Sequence, residues 1–261
     1  MKVDCQCEFG YELQLVIPYA YYLHKNNLLE QTTSTFFTKE LYYFSDNHEE
    51  KYSKRECIEP NNIPNNYPHV TELNYDEYLP PPYKDNFKND YFIFDKPIMI
   101  IHNKYNEEWL GPPINFIDKD TLEQIFSTFH SKYQIIYIRP QSNHIVSDGC
   151  EIFDLKEKEL FSVYGILDGN ELYKEVKDKY NISNFNHFQL LLHSNCDHFI
   201  SVQGGNSVLA SYFGGTNIIF AREGHELECN SYNGHYKKYS NCNVMHSNNY
   251  AEFIELIKSN Y

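Results

Sequence analysis

The sequence predicts an α/β fold built around a parallel, doubly wound sheet. Three observations carry this expectation. Past Asp95, short β-branched or aliphatic runs alternate with longer stretches of helical spacing. Glycine-rich junctions such as Gln203-Gly204-Gly205 and Gly214-Gly215 separate strand from helix. The N-terminus opens with a strand-like run followed by a helix-like one.

In chain order, residues 11–19, YELQLVIPY, read as a short strand closed by Pro18, and 20–30 as a helix carrying Tyr21, Tyr22, Leu23, Leu28 and Leu29. A second strand is expected over 36–44, FFTKELYYF. From 45 to 89 the periodicity gives way to charge, Asn and Pro, ending in Pro80-Pro81-Pro82, the mark of a functional surface loop or a linker. Beyond it come a strand over 96–105, a helix over 118–130, a strand over 133–140, a helix over 184–195, and a strand over 198–205. A helix over 206–213, the apolar run 216–221 and an amphipathic C-terminal helix complete the series. The chain accordingly divides into 1–95, 96–247 and a terminal helix, 248–261, expected to pack back on the N-terminal part.

Composition excludes several classes. A chain of 261 residues with 41% apolar content has ample core material, so wholesale disorder is ruled out. The net charge of −14 argues against a nucleic-acid binder, which needs a basic surface. No window approaches the roughly 18 uninterrupted apolar residues of a membrane span, and MKVDCQCEFG has no apolar leader, so a soluble cytoplasmic protein is expected. The seven cysteines are scattered, with only Cys5 and Cys7 close together, which suggests reduced thiols rather than a disulfide framework or zinc site. Asp118-Lys119-Asp120 imitates a metal-binding DxD but reads better as a helix start, with Asp118 or Asp120 capping and Leu122, Ile125, Phe126 and Phe129 buried. No metal site is expected among the twelve scattered histidines.

Ligands of open parallel sheets bind outside the carboxyl ends of the strands. Lys104 and two of the three arginines, Arg139 and Arg222, fall just past such ends. The strand over 198–202 runs into Gln203-Gly204-Gly205-Asn206-Ser207, a glycine-opened helix start with free backbone N–H groups. In an acidic protein this convergence points to an anion, most simply a phosphate or diphosphate. Neither GxxxxGK[ST] nor GxGxxG is present, so kinase and dehydrogenase readings lose ground.

Ile17-Pro18-Tyr19-Ala20-Tyr21-Tyr22, His102-Asn103-Lys104-Tyr105 with Glu108-Trp109, Tyr137-Ile138-Arg139-Pro140, Asp197 through Gly205 and Ser211-Tyr212-Phe213-Gly214-Gly215 resemble a GT-B type glycosyltransferase family of bacteria and large DNA viruses. The resemblance implies two Rossmann-like parallel-sheet domains facing a cleft, with the N-terminal, acceptor-side one reduced. It implies a nucleotide-sugar donor, with a UDP-sugar as the first expectation, a glycan acceptor, and no required cofactor or metal. The donor-binding candidates are Asn103, Lys104, Arg139, Gln203, Gly204, Gly205, Asn206, Ser207, Arg222 and Glu223, with Glu226 as an alternative acid for ribose hydroxyls. An inverting transfer also needs a general base, for which Asp76 is the first candidate and Glu77, Glu108 and Asp148 the alternatives. Two other classes stay open: a nucleotide- or glycan-binding module without catalysis, and a structural protein of a particle or cell surface.

Overall fold

The computed structural model describes residues 1–56, 63, 75–139, 141, 146 and 149–261. The chain begins with β1 (Lys2–Asp4), α1 (Phe9–Tyr11), a π turn (Glu12–Val16), α2 (Ile17–Lys25), β2 (Gln31–Thr35) and β3 (His48–Tyr52). These strands form a parallel sheet in the order β1-β2-β3.

The strand expected over 11–19 is helical instead. Every residue from Glu12 to Ala20 is buried, so this helix has no polar face and shows no 3.6-residue period to read. Pro18 falls in the first turn of α2, where its missing N–H costs little. The strand expected over 36–44 is likewise absent: its aromatic residues lie in turns, from which Leu41, Tyr42 and Phe44 reach the core. The actual edge strand is the charged segment HEEKY, inside the segment expected to be loop.

Buried among these elements is the Glu12 carboxylate, in an ion pair with Arg55 at 2.7 Å. It also accepts from the Tyr42 hydroxyl at 2.9 Å and from the Ser34 hydroxyl. Arg55 donates to the Cys7 carbonyl at 3.0 Å, so one ion pair ties the π turn to the segments flanking the small sheet.

The chain continues through α3 (Tyr83–Asn86), β4 (Ile98–His102), α4 (Lys119–Phe129), β5 (Gln134–Ile138), α5 (Phe161–Tyr164), β6 (Leu167–Asp168), α6 (Gly169–Val176), α7 (Phe185–His193), β7 (His198–Val202), α8 (Gly205–Ser211), β8 (Thr216–Phe220), α9 (His225–Glu228), β9 (Asn243–Ser247) and α10 (Tyr250–Asn260). The second sheet is parallel throughout, in the order β6-β5-β4-β7-β8-β9.

Its side chains alternate between two cores. Met99, Ile101, Ile200 and Phe220 join α4 and α10 on one face. Ile98, Ile100, Phe199 and Ile219 face α7 and α8 on the other, in a cluster that runs without a break from Val3 to Val244 and so includes the smaller sheet. Asp118 caps α4 by accepting from the Thr121 N–H at 2.8 Å, and Leu122, Ile125, Phe126 and Phe129 are buried, the arrangement expected for that segment. The terminal helix departs from expectation: α10 packs on β8, β9 and α4, because Phe253, Ile254 and Ile257 complete the second core. Among the described residues no helix is long and apolar enough to cross a membrane.

One polar pair interrupts the first core. His102 and His193 are fully buried, with their Nε2 atoms 2.6 Å apart. His193 Nδ1 contacts the Gln189 carbonyl and must carry its proton there, so His102 Nε2 is the donor between the rings and both imidazoles are neutral. Burial holds His193 down at about 4, and burial with the neighbouring ring holds His102 well below its usual value. Below pH 6.5 the unfolded chain therefore takes up protons that the fold refuses, and stability falls as pH falls. The expected loss is about 1.4 kcal/mol per pH unit from His193 between pH 6.5 and 4, with His102 acting in the same direction. Urea unfolding across that range checks it, and a flat profile would mean that the pair titrates normally.

Candidate functional site

The strand order reverses between β4 and β7: the chain steps outward from β4 to β6, then crosses back to place β7 on the opposite side of β4. Connections leaving the two strands diverge there, which opens a crevice at their carboxyl ends. Asn103 and Lys104 follow β4, and Gln203, Gly204 and Gly205 follow β7.

Gly204 has a φ of 128°, and a Cβ built on it would lie 3.7 Å from Lys104 Nζ, so the lysine ammonium sits directly against the glycine turn. Gly205 is needed for another reason. A Cβ there would fall 2.6 Å from the Phe9 ring, because α1 packs on the start of α8. The backbone N–H groups of Gly204, Gly205 and Asn206 have no hydrogen-bond partner among the described residues. Ser207 is fully buried, and its hydroxyl donates to the Gly204 carbonyl at 2.8 Å, which shapes the turn rather than facing a ligand.

Lys104 is governed by Glu108. The carboxylate receives Lys104 Nζ at 2.9 Å, the Ile114 and Asn115 N–H groups at 3.0 and 2.8 Å, and Asn115 Nδ2 at 2.8 Å. Burial pushes the Glu108 carboxyl up, but Lys104 and the Asn115 donors outweigh it, and the group stays below its ordinary value. Asn115 passes the connection on, its Oδ1 accepting from the Arg222 and Glu223 N–H groups at 2.8 and 3.2 Å. The loops after β4 and β8 thus hang from one carboxylate.

Across the crevice, Gln203 donates to Glu226 at 2.6 Å. Burial raises the Glu226 carboxyl, with its own backbone N–H and Lys104 opposing the rise. Gln203 Oε1 is buried without a partner among the described residues. Arg222 is exposed, its guanidinium 5.7 Å from the Phe220 ring centre and 5.4 Å from that of Tyr250, and Glu223 beside it is also exposed.

Several expected site residues do other work. Arg139 follows β5, one strand away from the reversal, and its guanidinium is spent on Glu157 at 2.9 and 3.0 Å and on the Phe153 carbonyl. Asn103 is buried and saturated, donating to the Ile117 carbonyl and the Tyr137 hydroxyl and accepting from the Lys104 and Ile117 N–H groups. Glu108 cannot serve as a base while four donors fill its oxygens. Asp76 is exposed and Glu77 half-buried in a short 3-10 turn packed on α2. Asp148 lies outside the described residues. Sequence reasoning missed Asn115, since GPPINF carries no motif, and had no means of seeing that Glu226 meets Gln203.

Among the described residues no group of three or more His, Cys, Asp or Glu side chains is arranged to hold a metal ion. Compared with known proteins, the chain matches no family model, no curated protein and no solved structure.

Two variants test these assignments. Arg139→Ala strands the buried Glu157 carboxylate and should lower unfolding free energy by about 3 kcal/mol in urea titrations. A stability near wild type would return Arg139 to the list of free cations. Glu226 holds its proton more tightly folded than unfolded, so it withdraws stability as pH rises above 4.5. Glu226→Gln, which keeps an acceptor for Gln203, should therefore raise Tm at pH 8 and leave it unchanged at pH 4.

Proposed function

We propose that this chain is a glycosyltransferase that binds a nucleotide-sugar donor, a UDP-sugar before others, and moves the sugar to a glycan acceptor by an inverting, metal-independent route. The observation that carries the reading is the meeting of Lys104 with the unpartnered amides of Gly204, Gly205 and Asn206 where the strand order reverses. Charge builds on the departing diphosphate during transfer, and fixed donors aimed at it supply several kcal/mol of stabilisation. Gln203, through its unpartnered Oε1, and Glu226 then take hydroxyl groups of ribose or sugar. In the GT-B arrangement that the sequence resembles, the smaller sheet stands on the acceptor side, and Asp76 there is the base for the acceptor hydroxyl.

A non-catalytic nucleotide-binding module is the second reading. It is favoured by the saturation of Glu108, one of the candidate bases.

Calorimetric titration with UDP and GDP, followed by assay of nucleotide release from their sugar conjugates, separates the readings. Lys104→Gln retains a donor for Glu108 while removing the charge, and should weaken diphosphate binding at least about tenfold. Equal affinity in that variant removes Lys104 from the site. Asp76→Asn should abolish transfer with donor binding intact, and normal turnover would assign the base elsewhere. Binding without turnover by any donor supports the module.

A further inference from the structure

We propose that the cavity between the Trp109-Leu110 turn and α9 is a stacking subsite for a planar heteroaromatic ring, the base of the nucleotide whose phosphates lie in the crevice; this rests on the donor reading above. The cavity has a volume of about 560 Å³ and is lined by Trp109, Arg222, Gly224, His225 and Leu227, with Glu223 and Glu228 at its wall. That volume suits a small organic ligand.

The turn is built to present its indole. Trp109 is 60% exposed, an unfavourable placement for the largest apolar side chain in the chain. Trp109 and Leu110 both have positive φ, 50° and 64°, a conformation that costs a residue with a Cβ and persists only where its surroundings enforce it. Enforcement comes from the two Glu108–Gly111 backbone hydrogen bonds, at 2.9 and 3.2 Å, and from the four donors locking the Glu108 carboxylate. Strain is thus maintained by a buried anchor in order to hold an aromatic ring in the open.

The cavity lining carries a second planar group. The Arg222 guanidinium lies over Phe220 and Tyr250 and makes no ion pair among the described residues. Its backbone N–H is held by Asn115, itself bound to Glu108, so both walls are registered by the same pair of side chains. Indole and guanidinium faces are both surfaces on which nucleobases stack.

Charge decides which end of a nucleotide goes where. Glu223 and Glu228 set two carboxylates against the single Arg222 cation at the cavity, which disfavours phosphate there, whereas Lys104 and the free amides sit in the crevice. Gly224 of the cavity packs on Gln203 of the crevice and gives the two a shared wall: at φ 131°, a Cβ on Gly224 would fall 1.9 Å from Gln203 Nε2. A ligand with an anionic end and a flat, uncharged end fits across that wall.

Trp109 is the single tryptophan, so its emission reports on this cavity alone. The full chain is titrated with UDP, GDP, uridine, guanosine and inorganic pyrophosphate, by fluorescence and by calorimetry. The expected result is quenching by the nucleotides and nucleosides, and binding of pyrophosphate without quenching. Trp109→Ala should bind the nucleoside diphosphates about tenfold more weakly with pyrophosphate affinity unchanged, and Trp109→Phe should restore most of the loss. Nucleotide binding with unaltered emission and equal affinity in Trp109→Ala overturns the subsite and leaves the donor reading standing. Quenching by nucleosides with no binding of any diphosphate keeps a ring subsite and overturns the donor reading. No binding by any of the five overturns both.

Discussion

A single buried carboxylate, Glu108, sets the geometry of the loops that follow β4 and β8 at the carboxyl edge of the larger sheet. An ionised carboxyl removed from water is tolerated only if its lone pairs are filled, and Glu108 fills them with donors from both ends of the segment it lies in. The result is more than local. Lys104 is fixed against the glycine turn, the strained Trp109-Leu110 turn is held closed, and through Asn115 the loop after β8 is brought to the same place. The lysine is also partly neutralised, so a ligand anion competes with Glu108 for it rather than meeting a bare charge.

Glu12 performs the corresponding task in the N-terminal part. Its contacts with Arg55, Tyr42 and Ser34 gather the π turn and the segments around the small sheet. Because α1 leads into that π turn and packs against Gly205, the position of the glycine turn depends on this second carboxylate as well. The two sheets are joined by one apolar cluster, and the crevice inherits rigidity from both.

The parts of the fold legible in the sequence are those whose signal is local. β4, β5, β7 and β8 are buried on both faces and read as continuous apolar runs, and α4 announces itself by its cap and its apolar stripe. The illegible parts lack such a signal. The helix over 12–20 is buried on every side and loses its period; β3 is a charged edge strand; β6 is two residues long. The aromatic residues of 36–44 mimic a strand because turns in this chain also contribute to the core.

The sequence by itself determined that Lys104, Arg139, Arg222 and Gln203-Gly204-Gly205-Asn206-Ser207 fall at the carboxyl ends of strands, since strand polarity follows from chain direction and parallel pairing. Only the tertiary structure decided which of them meet. Strand order places Lys104 against Gly204 and sends Arg139 and Arg222 one strand outward on opposite sides. Whether a cation is free for a ligand depends on the carboxylate that long-range folding sets beside it: Glu157 claims Arg139, Glu108 holds Lys104, and Arg222 rests on aromatic rings. Local pattern specifies which residues reach the edge; non-local packing and the need to satisfy buried charge specify what remains available there.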